Sequence, residues 1–329
     1  MKKIALRKFL LIRFSSIGDI VLTSPVIRCL KQQIEGAEIH VLTKSAFQTV
    51  LESNPYIDKI YTIKEKISEV LPDLKKENFE QVIDLHKNIR SKGVVMNLKK
   101  PGTSFDKLNR QKWLIVNLKT NKLPNIHIVD RYFQAVKNLG VKNDLKGLDY
   151  FIPERDEIKT SDMPQGFRNA YVGWVIGGKH NTKIYPEEKV IEAIKQSNYQ
   201  FILLGGPEDA EKGDRIAQAC DSKVFNACGK YNLNQSASLV KQASKILTND
   251  TGLMHIAAAF KKEIISFWGN TIPEFGMYPY LPGEEEKSTI LEVKNLSCRP
   301  CSKIGFDKCP KGHFNCMKQI DKEQLLDQL

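Results

Sequence analysis

Alternation between two kinds of segment constrains the fold of this chain more than any other feature. Short apolar runs, rich in β-branched and aromatic residues, are separated by longer spans with helical patterning. This alternation predicts parallel strands in a sheet that helices cover on both faces. In the first half, the predicted strands lie at 9–14, 38–43, 59–63 and 81–85, with helices beginning near Asp19 and at 45–52.

The alternation restarts after residues 153–164. The second set of predicted strands lies at 171–176, 200–204, 245–248 and 263–267, with helices beginning near Pro186, Glu208, Leu233 and Thr251. A length of 329 residues suits two domains of ordinary size. The sequence therefore predicts an α/β chain with two tandem Rossmann-like doubly wound domains, 1–160 and 161–329.

Composition excludes several classes of protein. Hydrophobic residues make up 41% of the chain and charged residues 27%, close to globular averages, which excludes a disordered or fibrous chain. The apolar run at 9–12 ends at Arg13, far short of the roughly 20 residues that span a bilayer. We therefore expect a cytoplasmic protein, in which the seven cysteines stay reduced or bind metal.

Positive charge is concentrated in the first half of the chain. Residues 1–160 hold 29 Lys and Arg against 18 Asp and Glu, whereas residues 161–329 hold 21 against 20. The densest stretch, 87–122, contains ten basic residues and one acidic residue, Asp106. Such a stretch is either a solvated surface or a binding surface for an anionic acceptor, a phosphate-rich membrane face or nucleic acid.

Ligands of doubly wound sheets bind beyond the carboxyl ends of the strands, so the loops after strands are the informative ones. The loop after the first strand contains Ser16, Gly18 and Asp19, in which glycine permits close approach to the backbone. Asp19 is either a helix N-cap or a catalytic carboxylate, because both roles suit an acid at this position.

Two further loops follow strands of the second half. The loop at 177–183 ends in Lys183, and the segment before it nearly matches a phosphate-binding P-loop. His180 stands where Ser or Thr would have to hold magnesium, which excludes that interpretation. In the loop at 205–208, Glu208 either accepts hydrogen bonds from a ribose or complements a helix dipole.

The fourth loop, 249–255, precedes a run of alanines that allows close packing of a helix on the sheet. Asp250 and Thr251 are suited to cap this helix while its free N–H groups, from Gly252 onward, face an anion. His255 lies one turn into the helix, where a histidine is either structural or a contact for a phosphate.

These motifs together resemble the lipopolysaccharide heptosyltransferases of glycosyltransferase family 9. The matching segments run almost the whole length of the chain in the family's order. They are Ser16-x-Gly18-Asp19-x4-Ser24-Pro25, Asp84-Leu85-x4-Arg90-Ser91, Lys183-x2-Pro186, Gly206-Pro207-Glu208 and Asp250-Thr251-Gly252-x2-His255-x-Ala257-Ala258. Asp-Thr-Gly-x-x-His is the most specific of them.

The resemblance implies a GT-B fold, with the acceptor in the first domain, a nucleotide-diphosphate sugar in the second and reaction in the cleft between them. It also implies an inverting transfer that needs no cofactor or catalytic metal, and ADP-heptose as the donor. Asp19 would then be the general base, and Lys183 would stabilise the leaving diphosphate. The implied ligand contacts come from Ser16, Gly18, Arg90, Glu208, Asp250, Thr251, Gly252 and His255.

The expected acceptor is an anionic saccharide or a lipid-linked one of a growing cell-surface polymer, with peripheral contact at the inner membrane and no nucleic-acid partner. Near the C-terminus, four cysteines surround His313 and predict a structural zinc site, free thiols or a local crosslink. The cysteines are Cys298, Cys301, Cys309 and Cys316.

Two other functions stay open. The chain could be another GT-B nucleotide-sugar enzyme, such as an epimerase. It could also be a zinc-bearing nucleic-acid-binding protein, given a pI of 9.2 and the cysteine cluster. The basic surplus and the cysteines lie in opposite halves of the chain, and no nucleic-acid-binding module is recognisable, which disfavours the second alternative.

Overall fold

The computed structural model describes residues 6–329 and divides them into two compact units. The first unit holds the described residues up to Lys107 together with Ile126–Phe151. The second holds Leu108–Asn125 together with Ile152–Leu329. The predicted division at residue 160 differs from this one, and residues 1–5 of the predicted first domain lie outside the described part of the chain.

The first unit contains a five-stranded parallel sheet in the order β3-β2-β1-β4-β5. Its strands are β1 (Arg7–Ile12), β2 (Ala37–Lys44), β3 (Lys59–Ile63), β4 (Gln81–Asp84) and β5 (Gly102–Ser104). Its helices are α1 (Ile17–Val21), α2 (Ser24–Gln33), α3 (Leu71–Lys76), α4 (Ile89–Leu98) and α6 (Ile128–Tyr132). Strand β1 is central because residues 9–12 are fully buried between the two layers of helices.

The second unit contains a six-stranded parallel sheet in the order β11-β10-β9-β6-β7-β8. Its strands are β6 (Val172–Val175), β7 (Phe201–Leu204), β8 (Val224–Asn226), β9 (Lys245–Asn249), β10 (Glu263–Trp268) and β11 (Ser288–Glu292). Its helices are α5 (Asn109–Leu118), α7 (Glu187–Gln196), α8 (Ala210–Cys220), α9 (Leu233–Gln242), α10 (Gly252–Ala259), α11 (Asn315–Lys318) and α12 (Lys322–Leu326).

Aromatic side chains fill one face of the second sheet. Tyr185 stacks on Phe267 with ring centroids 4.2 Å apart, and Phe267 stacks on Trp174 at 6.0 Å. All three rings are buried, so they contribute both apolar area and stacking energy. This layer supports the chain directly after Lys183.

Three strands are present that the sequence did not predict: β5, β8 and β11. They are edge strands of three to five residues, and β5 and β11 are largely exposed or half-buried. Short edge strands lack the continuous apolar run that identifies central ones. The helix predicted at 45–52 is a 3₁₀ helix, Ser45–Val50, and the helix predicted near Glu208 begins at Ala210, after a 3₁₀ turn.

Two segments of the predicted first domain belong to the second unit. Helix α5 packs there because Ile115 contacts Ile272 and Phe275. Hydrogen bonds tie the segment after residue 151 to α9, since Asp156 accepts from Asn232 at 2.9 Å. The basic stretch 87–122 is consequently divided between the two units rather than confined to the first.

Within residues 6–329, no helix combines the length and the apolarity that crossing a membrane requires.

Candidate active site

Each sheet has a point at which the order of its strands reverses. In the first unit the chain builds β1, β2 and β3 in one direction and then returns to place β4 on the other side of β1. In the second unit, β9 returns in the same way to the other side of β6. Loops diverge at such a switch point and leave a crevice, which is where sheets of this kind bind ligands.

Asp19 lies at the switch point of the first unit, one loop after β1. Its Oδ1 is 2.5 Å from a guanidinium nitrogen of Arg13, and its Oδ2 accepts hydrogen bonds from the backbone N–H and the hydroxyl of Ser16 at 3.2 and 3.0 Å. The contacts with Ser16 are those of a capping box at the start of α1, in which Gly18 is buried. Ser16 is therefore the N-cap, and Asp19, the third residue of the helix, completes the capping box with a side chain that is about one-quarter exposed (24%).

Three influences set the charge of this carboxylate. Burial raises the pKa of Asp19, but the charge of Arg13 and the hydrogen bonds from Ser16 outweigh burial and leave the pKa below its ordinary value. Asp19 is consequently ionised at neutral pH. An ionised, partly exposed carboxylate at a switch point is able to accept a proton.

Arg13 is fixed by contacts on every side. Its guanidinium donates to the backbone oxygens of Ser15 at 2.9 Å and Leu85 at 2.5 Å, and to the hydroxyl of Tyr132 at 3.1 Å. The side chain is only 7% exposed overall. Burial lowers the pKa of Arg13, but the charge and hydrogen bond of Asp19, together with Tyr132 and Asp84, outweigh burial and the net shift is upward. A permanently charged arginine therefore holds Asp19 in place.

The loop after β4 forms the other side of this switch point. Asp84 accepts from the backbone N–H groups of His86 and Lys87 and from the hydroxyl of Ser91, so it organises the turn into α4. Arg90 is exposed, and its guanidinium lies 5.9 Å from the ring centroid of Phe14, in the segment that leads to Asp19. The structure thus brings Arg90 to the Asp19 loop.

His86 is a residue of this site that the sequence analysis missed. Burial, together with the charges of Arg13 and other nearby cations, lowers its pKa to about 4. Its Nδ1 is buried and has no hydrogen-bond partner among the described residues. A neutral imidazole therefore lies at the carboxyl end of β4, and its position directly after a strand was the available signal.

Lys183 and Asp250 meet at the switch point of the second unit. The Nζ of Lys183, which follows β6, is 2.5 Å from the carboxylate of Asp250, which follows β9. The two side chains are 17% and 12% exposed, and Thr271 donates a further hydrogen bond to the same carboxylate at 3.2 Å. The sequence analysis predicted both residues for the site but not their ion pair.

Helix α10 begins directly after Asp250, and Thr251 is its N-cap residue in an extended conformation. The predicted capping is confirmed in part, because Thr251 is the N-cap residue whereas Asp250 precedes it and does not cap the helix. The Asp250 carboxylate is bound to Lys183, and no side-chain hydrogen bond caps the helix within the described chain. The N–H groups at Gly252 and beyond thus keep their capacity to bind an anion. His255 is buried within the helix.

Glu208 is exposed in the loop after β7, next to the β6 strand whose loop carries Lys183. Its neighbour Asp209 is buried instead and organises the turn, because it accepts from the N–H of Gly206 at 3.1 Å and from Lys212. A side chain at Gly177 would come within 2.0 Å of the Asp209 carboxylate, which explains the glycine after β6.

The cysteine-rich segment is the one for which the sequence predicts a structural zinc, free thiols or a local crosslink. Cys298 Sγ lies 3.7 Å from His313 Nε2. Among residues 6–329, no three His, Cys, Asp or Glu side chains converge on a point that would hold a metal ion. The four thiols are free and unpaired by disulfides.

The same segment supports the Lys183 site, which the sequence analysis also missed. Phe306 exchanges hydrogen bonds with Thr182, whose hydroxyl donates to the Phe306 carbonyl at 2.9 Å and accepts from its N–H at 2.8 Å. Arg299 donates to the carbonyls of Gly269 and Thr271 and forms a buried ion pair with Glu292. The segment therefore supports both the turn that contains Lys183 and Thr271, which donates a hydrogen bond to Asp250.

Comparison with known proteins finds similarity to lipopolysaccharide heptosyltransferases. Lipopolysaccharide heptosyltransferase 1 of Campylobacter coli is 24% identical over 292 residues, which is 80% of this chain and 84% of that protein. Lipopolysaccharide heptosyltransferase 3 of Escherichia coli K12 is 26% identical over 279 residues, which is 77% of this chain and 80% of that protein.

Solved structures confirm the predicted fold class. A glycosyltransferase family 9 protein from Veillonella parvula has a TM-score of 0.76 at 21% identity and covers 99% of this chain and 97% of its own. The ADP-heptose LPS heptosyltransferase II of E. coli has a TM-score of 0.71 at 20% identity and covers 98% of this chain and 97% of its own. Residues 68–308 match the family model of glycosyltransferase family 9 (heptosyltransferase), so the chain belongs to that family, as the sequence motifs predicted.

Proposed function

We propose that this enzyme transfers heptose from ADP-heptose to a lipopolysaccharide core or a related lipid-linked, anionic saccharide, with inversion and without a catalytic metal. The observation that carries the proposal is the pairing of opposite charges at the two switch points, Arg13 with Asp19 and Lys183 with Asp250. One pair supplies an ionised carboxylate and the other a fixed cation, which are the two groups that such a transfer needs.

The donor is assigned to the second unit. In this proposal Lys183 and the free N–H groups at the start of α10 bind the diphosphate, and the exposed carboxylate of Glu208 accepts hydrogen bonds from the ribose. Asp250 orients Lys183, and the buried His255 supports α10 against the sheet. The E. coli structural neighbour is an ADP-heptose LPS heptosyltransferase, which is consistent with this assignment.

The acceptor is assigned to the first unit. Asp19 lies within reach of a hydroxyl brought to the loop after β1, with Ser16 and Gly18 forming that loop, and Arg90 offers an exposed cation to an anionic saccharide. The acceptor oxygen attacks the anomeric carbon from the face opposite the diphosphate. Its proton passes to Asp19, the bond to the diphosphate oxygen breaks, and Lys183 stabilises the charge that collects there.

No metal enters this scheme. The electrostatic work that a divalent cation does in other transferases falls to Lys183 and the α10 amides. A structural zinc at the four cysteines is not part of this scheme, because no three potential ligands converge on one point among residues 6–329.

Two measurements test the proposal. The first is a comparison of thermal unfolding with ADP, UDP, GDP and CMP, because a ligand that binds the native state must raise its apparent stability. We expect ADP alone to do so strongly. The second is mass spectrometry of a core saccharide incubated with ADP-heptose, in which addition of one heptose is expected.

Other outcomes would point elsewhere. Stabilisation by UDP in preference to ADP would contradict the proposed donor. Release of a free sugar epimer in the absence of acceptor would favour an epimerase, and salt-sensitive binding to oligonucleotides would favour a nucleic-acid-binding protein.

A further inference from the structure

Helix α4 carries an outward face on which apolar and cationic residues alternate. Its inner face, with Ser91, Val94 and Leu98, is buried against the first sheet. The opposite face holds Ile89, which is 91% exposed, and Met96, which is 76% exposed. Lys92 lies between them, and Lys99 follows at the end of the helix. The spacing i, i+3 and i+7 places Ile89, Lys92 and Met96 along one side of the helix, and Lys99 is the C-cap residue that ends it; these four residues are here called the α4 face.

The cations of the α4 face have no counter-ions. Neither Lys92 nor Lys99 forms a salt bridge with any residue that the structure describes, whereas Lys8, Lys31 and Lys59 of the same unit all pair with acids. From residue 85 to residue 105 the chain holds five basic residues and no acidic one. An unopposed positive field therefore surrounds two of the most exposed apolar side chains of the protein.

A shallow groove of about 220 Å³ adjoins this helix, between α4 and β5. Val95 and Met96 line it together with Lys87 and Lys92, and its only acidic lining residue is Asp84, whose carboxylate accepts hydrogen bonds from the turn into α4. Apolar walls beside ammonium groups suit a surface in which hydrocarbon and anionic phosphate lie next to each other. Nucleic acid would use the cations but would leave Ile89 and Met96 in water, so the mixed character favours a lipid surface.

The position of α4 relative to the Asp19 loop is a second, geometric reason to expect a lipid surface at this face. Helix α4 starts at the carboxyl end of β4, and Arg90, its second residue, lies over Phe14 beside the Asp19 loop. A membrane in contact with the α4 face would consequently lie along the side of the first unit, with the Ile89 end of the helix nearest to Asp19. That arrangement suits an acceptor whose saccharide projects from a lipid.

We propose that the α4 face docks the first unit on the surface of an anionic phospholipid bilayer. Ile89 and Met96 enter the interfacial region, and Lys92 and Lys99 contact lipid phosphates. The orientation toward a lipid-linked acceptor rests on the function proposed above, but the docking itself requires neither donor nor acceptor.

Sedimentation with vesicles tests the docking. We expect the intact chain to bind vesicles of phosphatidylcholine with phosphatidylglycerol, to bind pure phosphatidylcholine far more weakly, and to be released by salt. Lys92→Glu/Lys99→Glu should lower the partition coefficient by about 30-fold or more, since each lysine near an anionic surface is worth about 1 kcal/mol. Ile89→Ser/Met96→Ser should lower it by about tenfold, because less apolar area enters the interface.

Matched controls lie on the loop 142–146, which is bonded to α2 rather than to α4. Lys142→Glu/Lys146→Glu makes the same change of charge, and Leu145→Ser removes a leucine that is 61% exposed. Both should bind vesicles as the unmodified chain does. All these positions are on the surface, and thermal unfolding verifies that each variant is folded.

Several results would overturn the docking proposal. They are absence of binding by the unmodified chain, unchanged binding by both α4 variants, equal losses in the control variants, or a loss seen only when Trp113, a tryptophan of α5 that is 57% exposed, is replaced by serine. Because the vesicles contain neither donor nor acceptor, a failure here would leave the proposed transfer intact. Normal vesicle binding with no transfer from ADP-heptose would contradict the proposed transfer and leave the docking proposal intact.

Discussion

Replacement of Asp19 by asparagine is the sharpest test of the catalytic assignment. The amide retains the shape of the carboxylate and one oxygen for the contact with Arg13, but it cannot accept a proton. General-base assistance typically contributes about 10²–10⁴-fold to a rate. We therefore expect Asp19→Asn to lower kcat by that factor, which corresponds to about 3 to 5 kcal/mol of activation free energy.

The assay is the release of ADP under saturating acceptor, combined with calorimetric measurement of ADP affinity. ADP affinity should change by less than about twofold, because the groups assigned to the diphosphate are all in the second unit. Asp73→Asn provides the control, since Asp73 is an exposed acid of the same unit that pairs with Lys76. A normal kcat in Asp19→Asn would remove this residue as the base.

The pH dependence gives an independent check on the same carboxylate. Asp19 acts only when ionised, so kcat/KM must fall as the pH drops through its pKa, and the Arg13 charge and the Ser16 hydrogen bonds hold that pKa low against the effect of burial. In Arg13→Gln the charge is gone and burial dominates, so the acid limb of the profile should move to higher pH.

The free energy of unfolding should depend on pH in the same direction as kcat/KM does. Because the folded-state pKa of Asp19 lies below its unfolded value, its contribution is complete above the unfolded pKa and is lost as the pH falls through the folded one. An acid limb that stays in place in Arg13→Gln, or moves to lower pH, would refute this account of the pair.

Further predictions concern the second unit. Lys183→Ala should weaken ADP binding by about 10- to 100-fold, since charge-assisted hydrogen bonds contribute about 1.5–3 kcal/mol. EDTA should leave the rate of transfer unchanged. Activity that is lost in EDTA and restored by magnesium would assign stabilisation of the diphosphate to a metal. Thr182→Val removes two hydrogen bonds to Phe306 and should lower the free energy of unfolding by about 1–2 kcal/mol, measured in urea, with an unchanged midpoint as the contrary result. Elemental analysis of the purified chain should find far less than one zinc per molecule, because the ligands do not converge, and stoichiometric zinc would show that the cysteine segment rearranges.

The central strands were predictable from the sequence because burial on both faces demands continuous apolar runs. Residues 9–12 and 201–204 are examples, since every one of them is buried. Edge strands such as β5 are not under that demand, and a run of Gly, Thr and Ser gives no strand signal. The sequence could not predict that residues 108–125 belong to the second unit, because this depends on contacts of Ile115 with residues far along the chain.

Candidate site residues were found for a related reason. A parallel sheet puts its ligand at the carboxyl ends of strands, so position alone singled out Asp19, Lys183 and Asp250. Their partners could not be found in that way, because Lys183 and Asp250 are 67 residues apart and their ion pair has no local pattern. His86 also follows a strand, β4, but the sequence did not identify it as a site residue. Only its burial distinguishes it from an ordinary surface histidine, and burial is not visible in the sequence.

The charges that the sequence displays most conspicuously are not those assigned to the chemistry. At each switch point a cation is matched by a carboxylate, as Arg13 is by Asp19, because an unpaired charge in a mostly buried site is costly. These pairs add nothing to the net charge of +12. The surplus lies instead on exposed positions such as Lys92 and Lys99, where water solvates an unpaired ammonium at little cost. Net charge therefore informs about the surfaces this enzyme meets, whereas its reaction has to be inferred from the neutralised pairs at the ends of the strands.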